Sequence, residues 1–156
     1  MMAWLFHLIG DIHQPLHSSA LFSQKLFPDG DRGGNDIKTR QRGNLHSLWD
    51  GFLGGKVSVR EAHQDALNLI ANPEMAALGE KAARRLDEKD WLDESRELAV
   101  NVAYGPEVIG FLRNLEDEGK EIQPLTLVET AGGAVSKKRV VEAGYRLAAV
   151  LKQILD

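Results

Sequence analysis

Apolar residues crowd the first twelve positions of the chain. Trp4, Leu5, Phe6, Leu8, Ile9 and Ile12 cover nearly every face of a helix rather than one stripe, which predicts a central, buried helix. Pro15 follows four residues after Asp11 and cannot donate to the Asp11 carbonyl, so the helix should kink or end there and redirect His17. Over 21–43 the periodicity breaks at Pro28-Asp29-Gly30 and Arg32-Gly33-Gly34-Asn35, turn signals in a span long enough to be functional or mobile. Beyond it Asn44 caps a short helix over 45–53, closed by Gly54-Gly55. Ser58 caps a helix to about Ala71, and Asn72-Pro73 opens another to about Leu86. Asp90 begins a helix reaching Tyr104, and after Gly105-Pro106 a further helical stretch runs to Glu116. A linker over 119–126 precedes a last helix starting at Ser136, with Val140, Val141, Leu147, Val150, Leu151 and Ile154 as its apolar face. No strand alternation persists and no repeat is visible. The pattern predicts an all-α, irregular multi-helix bundle. One domain is expected over 1–156, with the metal chemistry in 1–56 and helical scaffold in 57–156.

Composition narrows the field. The 156 residues are 43% hydrophobic and 27% charged, enough for one sizeable core and unlike a disordered or low-complexity chain. No run approaches the ~20 apolar residues of a membrane-spanning helix. There are no cysteines, so disulfides, thiol nucleophiles and cysteine metal sites are excluded. The opening helix is not a secretory signal, because it has no basic leader and His7 and Asp11 interrupt it. It also lacks a capping residue and needs cover, so sequence upstream of Met1 is expected. Four of the five histidines (His7, His13, His17 and His46) fall in residues 1–56, which carry six Lys/Arg against five Asp/Glu in a chain of net charge −4. Chemistry is expected there.

His7 and Asp11 share one helix face a turn apart, and His46 and Asp50 repeat the spacing beside Leu48, Trp49 and Phe52. A buried carboxylate costs several kcal/mol unless neutralised, and a divalent cation satisfies imidazole and carboxylate together. A single His-x-x-x-Asp is most often a surface pair worth a few tenths of a kcal/mol. Two such pairs on apolar helices, with His17 between them, form the nitrogen and oxygen donor set that suits zinc. His13 points elsewhere on an ideal helix and reads as a residue behind the ligands or in the core. His63 reads as a surface histidine.

The segments FHLIGDIHQPLH (6–17), DRGGNDI (31–37) and NLHSLWD (44–50), in that order, resemble the core of the zinc-dependent S1/P1 nuclease family. WLDES (91–95), AVNVAYG (99–105) and AGYRLAAVLKQIL (143–155) resemble its later helices. The likeness runs over nearly the whole chain and corresponds to the latter part of a full-length member. It implies the all-α fold shared with zinc-dependent phospholipase C, and a cluster of up to three zinc ions. Carried over by position, His7 matches a ligand of the first zinc and Asp11 the carboxylate bridging the first and third. His17, His46 and Asp50 match the full protein ligand set of the second. The resemblance makes Asp11, His17, His46 and Asp50 the catalytic centre. The implied reaction is in-line hydrolysis of single-stranded DNA or RNA to 5′-phosphorylated products, with 3′-nucleotidase action a further possibility, and a secreted or periplasmic location.

Gly33, Gly34 and Asn35 match the family's loop beside the substrate cleft, with Gly34, Asn35 and Lys38 as candidate substrate contacts. Lys38, Arg40 and Arg42 give the segment a local positive bias suited to phosphate, although solvated surface charge explains them equally. A pI near 5.7 fits a small nucleotide pocket better than a duplex-binding surface. The family's amino-terminal Trp and His, and an Asp and a His from its first half, have no counterpart before His7. Only one zinc site is therefore expected to be complete, and the activity of this chain alone impaired. The alternatives are a phospholipase C-like phosphodiesterase, a non-catalytic zinc-binding remnant, and a helical interaction module. An uncovered opening helix would favour self-association. No membrane insertion is expected.

Overall fold

The computed structural model describes residues 2–54, 58–127 and 130–156. Gly55, one of the expected helix terminators, and the expected boundary at 56–57 lie outside the described residues. The described residues form seven α-helices, which are α1 (Met2–Ile12), α2 (Leu45–Asp50), α3 (Val59–Ile70), α4 (Pro73–Ala82), α5 (Glu88–Leu98), α6 (Pro106–Glu118) and α7 (Thr130–Leu155). A 3-10 turn follows α1 at Pro15–His17, and a π turn, Ala99–Ala103, continues α5. The fold is all-α. No described helix is long and apolar enough to cross a membrane.

Capping explains most helix starts. The Ser58 hydroxyl accepts from the Glu61 amide while the Glu61 carboxylate accepts from the Ser58 amide, two orphan donors satisfied reciprocally. Asn44 accepts from Ser47 N at 2.7 Å to open α2, and Asn72 accepts from Glu74 N and Met75 N ahead of Pro73 in α4. His63 lies exposed on α3.

Several boundaries differ from the sequence expectation. Helix α2 stops at Asp50 with Gly51 as its cap, and the Arg42 guanidinium lies against Gly51, where a side chain would meet it at 2.5 Å. Helix α4 stops at Ala82, and Asp87 rather than Asp90 caps α5, accepting from Lys89 N at 2.9 Å. Helix α7 begins at Thr130, well before Ser136, which is buried within it. The Gly132-Gly133 pair, a poor helix former, is accommodated because Gly132 seats against the Phe52 ring. A two-stranded antiparallel ladder also forms, β1 (Lys38–Thr39) with β2 (Gly43–Asn44), and two-residue strands are too short to show alternation. Leu125 pairs with it through Arg40 N to Leu125 O and Leu125 N to Lys38 O, both 2.9 Å.

Helix α1 is not buried all round. It packs against α5 and α7 through Leu5, Ile9 and Ile12, which meet Trp91, Ala143 and Leu147. Trp4, Phe6 and Leu8 on its other side are 67%, 45% and 57% exposed. Among the described residues only one flank has neighbours.

Behind that flank lies a charged cluster. Arg146 is buried and grips Glu94 with two nitrogens, at 2.7 and 2.9 Å, while stacking over Trp91. Arg139, also buried, donates to Glu94 at 2.9 Å, Glu142 at 2.5 Å, Ser95 Oγ at 2.8 Å and the His13 carbonyl at 3.3 Å. Ser95 Oγ donates in turn to the Ile12 carbonyl at 2.5 Å. The cluster therefore ties down the junction that ends α1. His13 is enclosed here, 2% exposed. Its Nε2 faces Arg146 at 2.8 Å and its Nδ1 faces the Ile9 carbonyl at 2.7 Å. Guanidinium only donates, so Nε2 is the acceptor and the ring is neutral. Burial, and then the neighbouring Arg139, lower its pKa to about 4. For Glu94 burial opposes the charge, but the hydrogen bonds from Arg146 and Arg139 outweigh it and hold the carboxyl at about 2.

Both shifts make the fold acid-labile, since the unfolded chain takes up the proton first. His13 contributes stability above its ordinary 6.5 that is lost as pH falls toward about 4, and Glu94 stability above 4.5 that is lost as pH falls toward about 2. Urea titrations across pH should show the unfolding free energy falling through both windows. Glu94→Gln should abolish the lower step and cost about 3 kcal/mol at neutral pH, because it leaves the buried Arg146 guanidinium without its counter-ion.

Candidate metal centre

The site is assembled from α1, the 3-10 turn and α2, held together by the 21–43 loop. Helix α1 ends at Ile12, and Gln14 then caps the turn, its side-chain oxygen accepting from Leu16 N, with Pro15 at the first position. This is the expected proline break, and it swings His17 toward α2. Gln14 also donates from Nε2 to Asp50 Oδ1 at 2.9 Å, so one amide clips the turn to the second helix.

The loop is pinned by Asp31, which is fully buried. Its Oδ1 accepts from Leu21 N at 2.8 Å, Gly33 N at 3.1 Å and the Tyr104 hydroxyl at 3.0 Å, and its Oδ2 from Gly34 N at 2.9 Å. Four donors stand in for water around the carboxylate. Burial, then the Asp31 charge, raise the Tyr104 pKa, so its hydroxyl keeps its proton and donates. Gly33 has φ +64°, and a Cβ there would lie 2.5 Å from the Leu16 carbonyl oxygen. Only glycine fits that backbone and that approach. The Gly33 carbonyl faces His46 Nδ1 at 2.8 Å, and the Gly34 carbonyl accepts from His46 N at 3.3 Å.

A carbonyl only accepts, so His46 carries its proton on Nδ1 and presents the Nε2 lone pair. That atom lies 3.5 Å from Asp50 Oδ2, and His17 Nε2 lies 3.6 Å from Asp50 Oδ1. The two rings stack with centroids 5.0 Å apart. One ligand atom from each of His17, His46 and Asp50 lies within 4.8 Å of the others. Donors around a tetrahedral zinc at ~2.0–2.2 Å stand roughly 3.3–3.6 Å apart. The donor types suit zinc, and the two distances from Asp50, one from each of its carboxylate oxygens, are close to that spacing.

The remaining pair adjoins this group without joining it. Asp11 Oδ2 is 3.2 Å from His7 Nε2, and Asp11 Oδ1 is 3.5 Å from His17 Nδ1. His7, Asp11, His17, Asp50 and His46 thus form one continuous run of facing donors. Gly34 is buried against the His46 backbone, Asn35 turns its amide back to the Arg32 carbonyl at 2.8 Å, and Lys38 is exposed on β1. A cavity of about 420 Å³ opens beside Asp11, His17 and Asp50, walled by Pro15, Trp49, Leu53 and Val140. Gln14, Asp31 and Tyr104 escaped the sequence reading. Asp31 carried a signal in being the acid directly before an Arg-Gly-Gly turn, whereas Tyr104 carried none.

The S1/P1 Nuclease family matches over residues 1–156. Endonuclease 4 of Arabidopsis thaliana is 30% identical over 170 aligned residues, covering 99% of this chain and 50% of the relative. Nuclease S1 of Aspergillus oryzae is 25% identical over 169, covering 98% of this chain and 53% of the relative. Endonuclease 3 of Arabidopsis thaliana is 42% identical over 55 residues, 33% of this chain and 16% of the relative. No solved structure matches. The chain spans about half the length of the curated relatives it matches end to end. The family match over every residue and the resemblance in the ligand segments agree: this chain belongs to the S1/P1 nuclease family.

Proposed function

We propose that the chain binds zinc through His17, His46 and Asp50 and serves as the metal-bearing part of a phosphodiesterase that cuts single-stranded DNA or RNA to 5′-phosphorylated products. The observation that carries this is the meeting of three donors of zinc-ligand type within 4.8 Å of one another, in a chain of a nuclease family. When bound, zinc supplies a Lewis acid for water and for phosphate oxygen. The chain's own residues orient the rest. Asp11, with one oxygen toward each of His7 and His17, is the bridge to any second ion. Gln14 holds Asp50 in place, and Trp49 with its apolar neighbours walls a cavity of a size for one nucleotide base. Gly34, Asn35 and Lys38 are the proposed substrate contacts, Lys38 attracting phosphate through its exposed charge. An extracytoplasmic setting is part of the proposal.

A non-catalytic zinc-binding protein is the second reading. It is favoured by His7 and Asp11, which offer only two donors where a catalytic zinc uses three protein ligands.

Protein purified without added metal should contain about one zinc per chain by elemental analysis. His46→Ala and Asp50→Ala should weaken zinc binding by roughly 100-fold or more, since even residues that merely support ligands are worth about 10–100-fold. A metal-free wild type that takes up no zinc on titration would end the proposal. Cleavage of single-stranded DNA or RNA separates the nuclease from the non-catalytic protein, and turnover of phosphatidylcholine instead would mark the phospholipase chemistry.

Gly33→Ala tests the geometry from another side. The left-handed backbone costs an L side chain about 1–3 kcal/mol, and the new methyl displaces Leu16 next to His17. Thermal melts should show the loss of stability, and calorimetry a zinc affinity lowered about tenfold or more.

A further inference from the structure

We infer that Asp31 and Tyr104 are positioning residues that fix His46 in the one ring tautomer able to offer Nε2 to a metal. This rests on the zinc-site proposal for its purpose, but its geometry stands without metal. The chain of contacts is short. The hydroxyl of Tyr104 and three backbone amides converge on the Asp31 carboxylate, two of those amides belonging to Gly33 and Gly34. These same two residues present the carbonyls that hold the ring and the backbone of His46. A second link locks the loop from its far side, where Asp36 N donates to the Asp31 carbonyl at 3.1 Å.

The Gly33 carbonyl, 2.8 Å from Nδ1, is a closer acceptor than the Asp50 carboxylate, 3.5 Å from Nε2, and so favours the proton on Nδ1, while the Asp31 carboxylate sets where that carbonyl sits. Gly33 at φ +64° and Gly34 at +85° can rotate freely, as glycines do, so the hydrogen bonds to Asp31 are what select this arrangement. Turning the Gly33 peptide would withdraw the acceptor from Nδ1, and the ring would lose the contact that selects its tautomer. Tyr104 reaches Asp31 because the π turn brings its amide to the Ala99 carbonyl at 2.7 Å, setting the direction of the ring. Tyr104 touches neither the ligands nor the cavity, so it acts only through Asp31.

Ring carbon and nitrogen NMR shifts of His46 in the metal-free full chain, taken where imidazoles are neutral, report the tautomer directly. Wild type should show the Nδ1–H form alone. Tyr104→Phe, which removes one hydroxyl and leaves the ring, should show both tautomers and a zinc affinity weaker by about tenfold. Asp31→Asn should do the same more strongly. Leu112→Ala, in the same apolar cluster as Tyr104, should lower the melting temperature without moving the His46 shifts, which separates positioning from general destabilisation. The inference is overturned if Tyr104→Phe keeps the single Nδ1–H form and the wild-type zinc affinity. A wild type that shows the tautomer effect yet binds no zinc would uphold the inference and defeat the metal proposal instead.

Discussion

One close approach between two peptide units brings the two halves of the proposed ligand set together. Gly33 is pressed against the Leu16 carbonyl on one side and offers its own carbonyl to His46 on the other. His17 follows Leu16 directly, so a residue without a side chain sets the gap between the two imidazoles. That fit is possible because glycine takes a left-handed backbone without steric cost, and a buried carboxylate collecting four donors holds the loop there. The loop, long enough by sequence to suggest mobility, is thus pinned from within.

The cluster of Arg139, Arg146 and Glu94 does a complementary job from behind. Arg139 and Ser95 engage the last carbonyls of α1, at His13 and Ile12. These groups at a helix end would otherwise need water. The cluster fixes where α1 stops, and hence where Asp11 and His17 point. The proposed ligands His17 and Asp50 line a cavity, and the groups that orient the site from behind are buried, whereas Gln14 is half-buried. Burying charge for this purpose is costly without good partners, and here nearly every guanidinium nitrogen finds one. The Arg146 Nε is the exception, with no partner among the described residues.

The features legible in the sequence were those that local geometry dictates. His7 with Asp11, and His46 with Asp50, face each other because four residues make about one turn, and no tertiary knowledge is needed for that. Ser58, Asn72 and Asn44 announced their helices through side chains that bond their own backbone. The Pro15 break was readable for the same reason. What escaped was long-range. Tyr104 meets Asp31 across 73 residues, and no periodicity records such a partner. Gln14 looked like an ordinary polar residue until the turn brought Asp50 to its amide. Helix α1 misled because an all-round apolar pattern says only that burial is favourable, whereas the described neighbours cover one flank. The start of α7 misled in the opposite sense, since packing of Gly132 on Phe52 overrides the weak helix preference of two consecutive glycines.

The π turn has a consequence for how this sequence tolerates change. A π turn accommodates one more residue than an α-helix would use, and each residue in a regular helix advances the direction of side chains by about 100°. Deleting a single residue between Ala99 and Ala103 would let a regular helix complete the same turn, leaving later side chains near their present bearing. Forcing regular α geometry on the segment at its full length would instead turn the phenol about 100° away from its carboxylate, although nothing near the imidazoles had been altered. The turn therefore absorbs a one-residue change in length, and what must be kept is the bearing of whatever follows it.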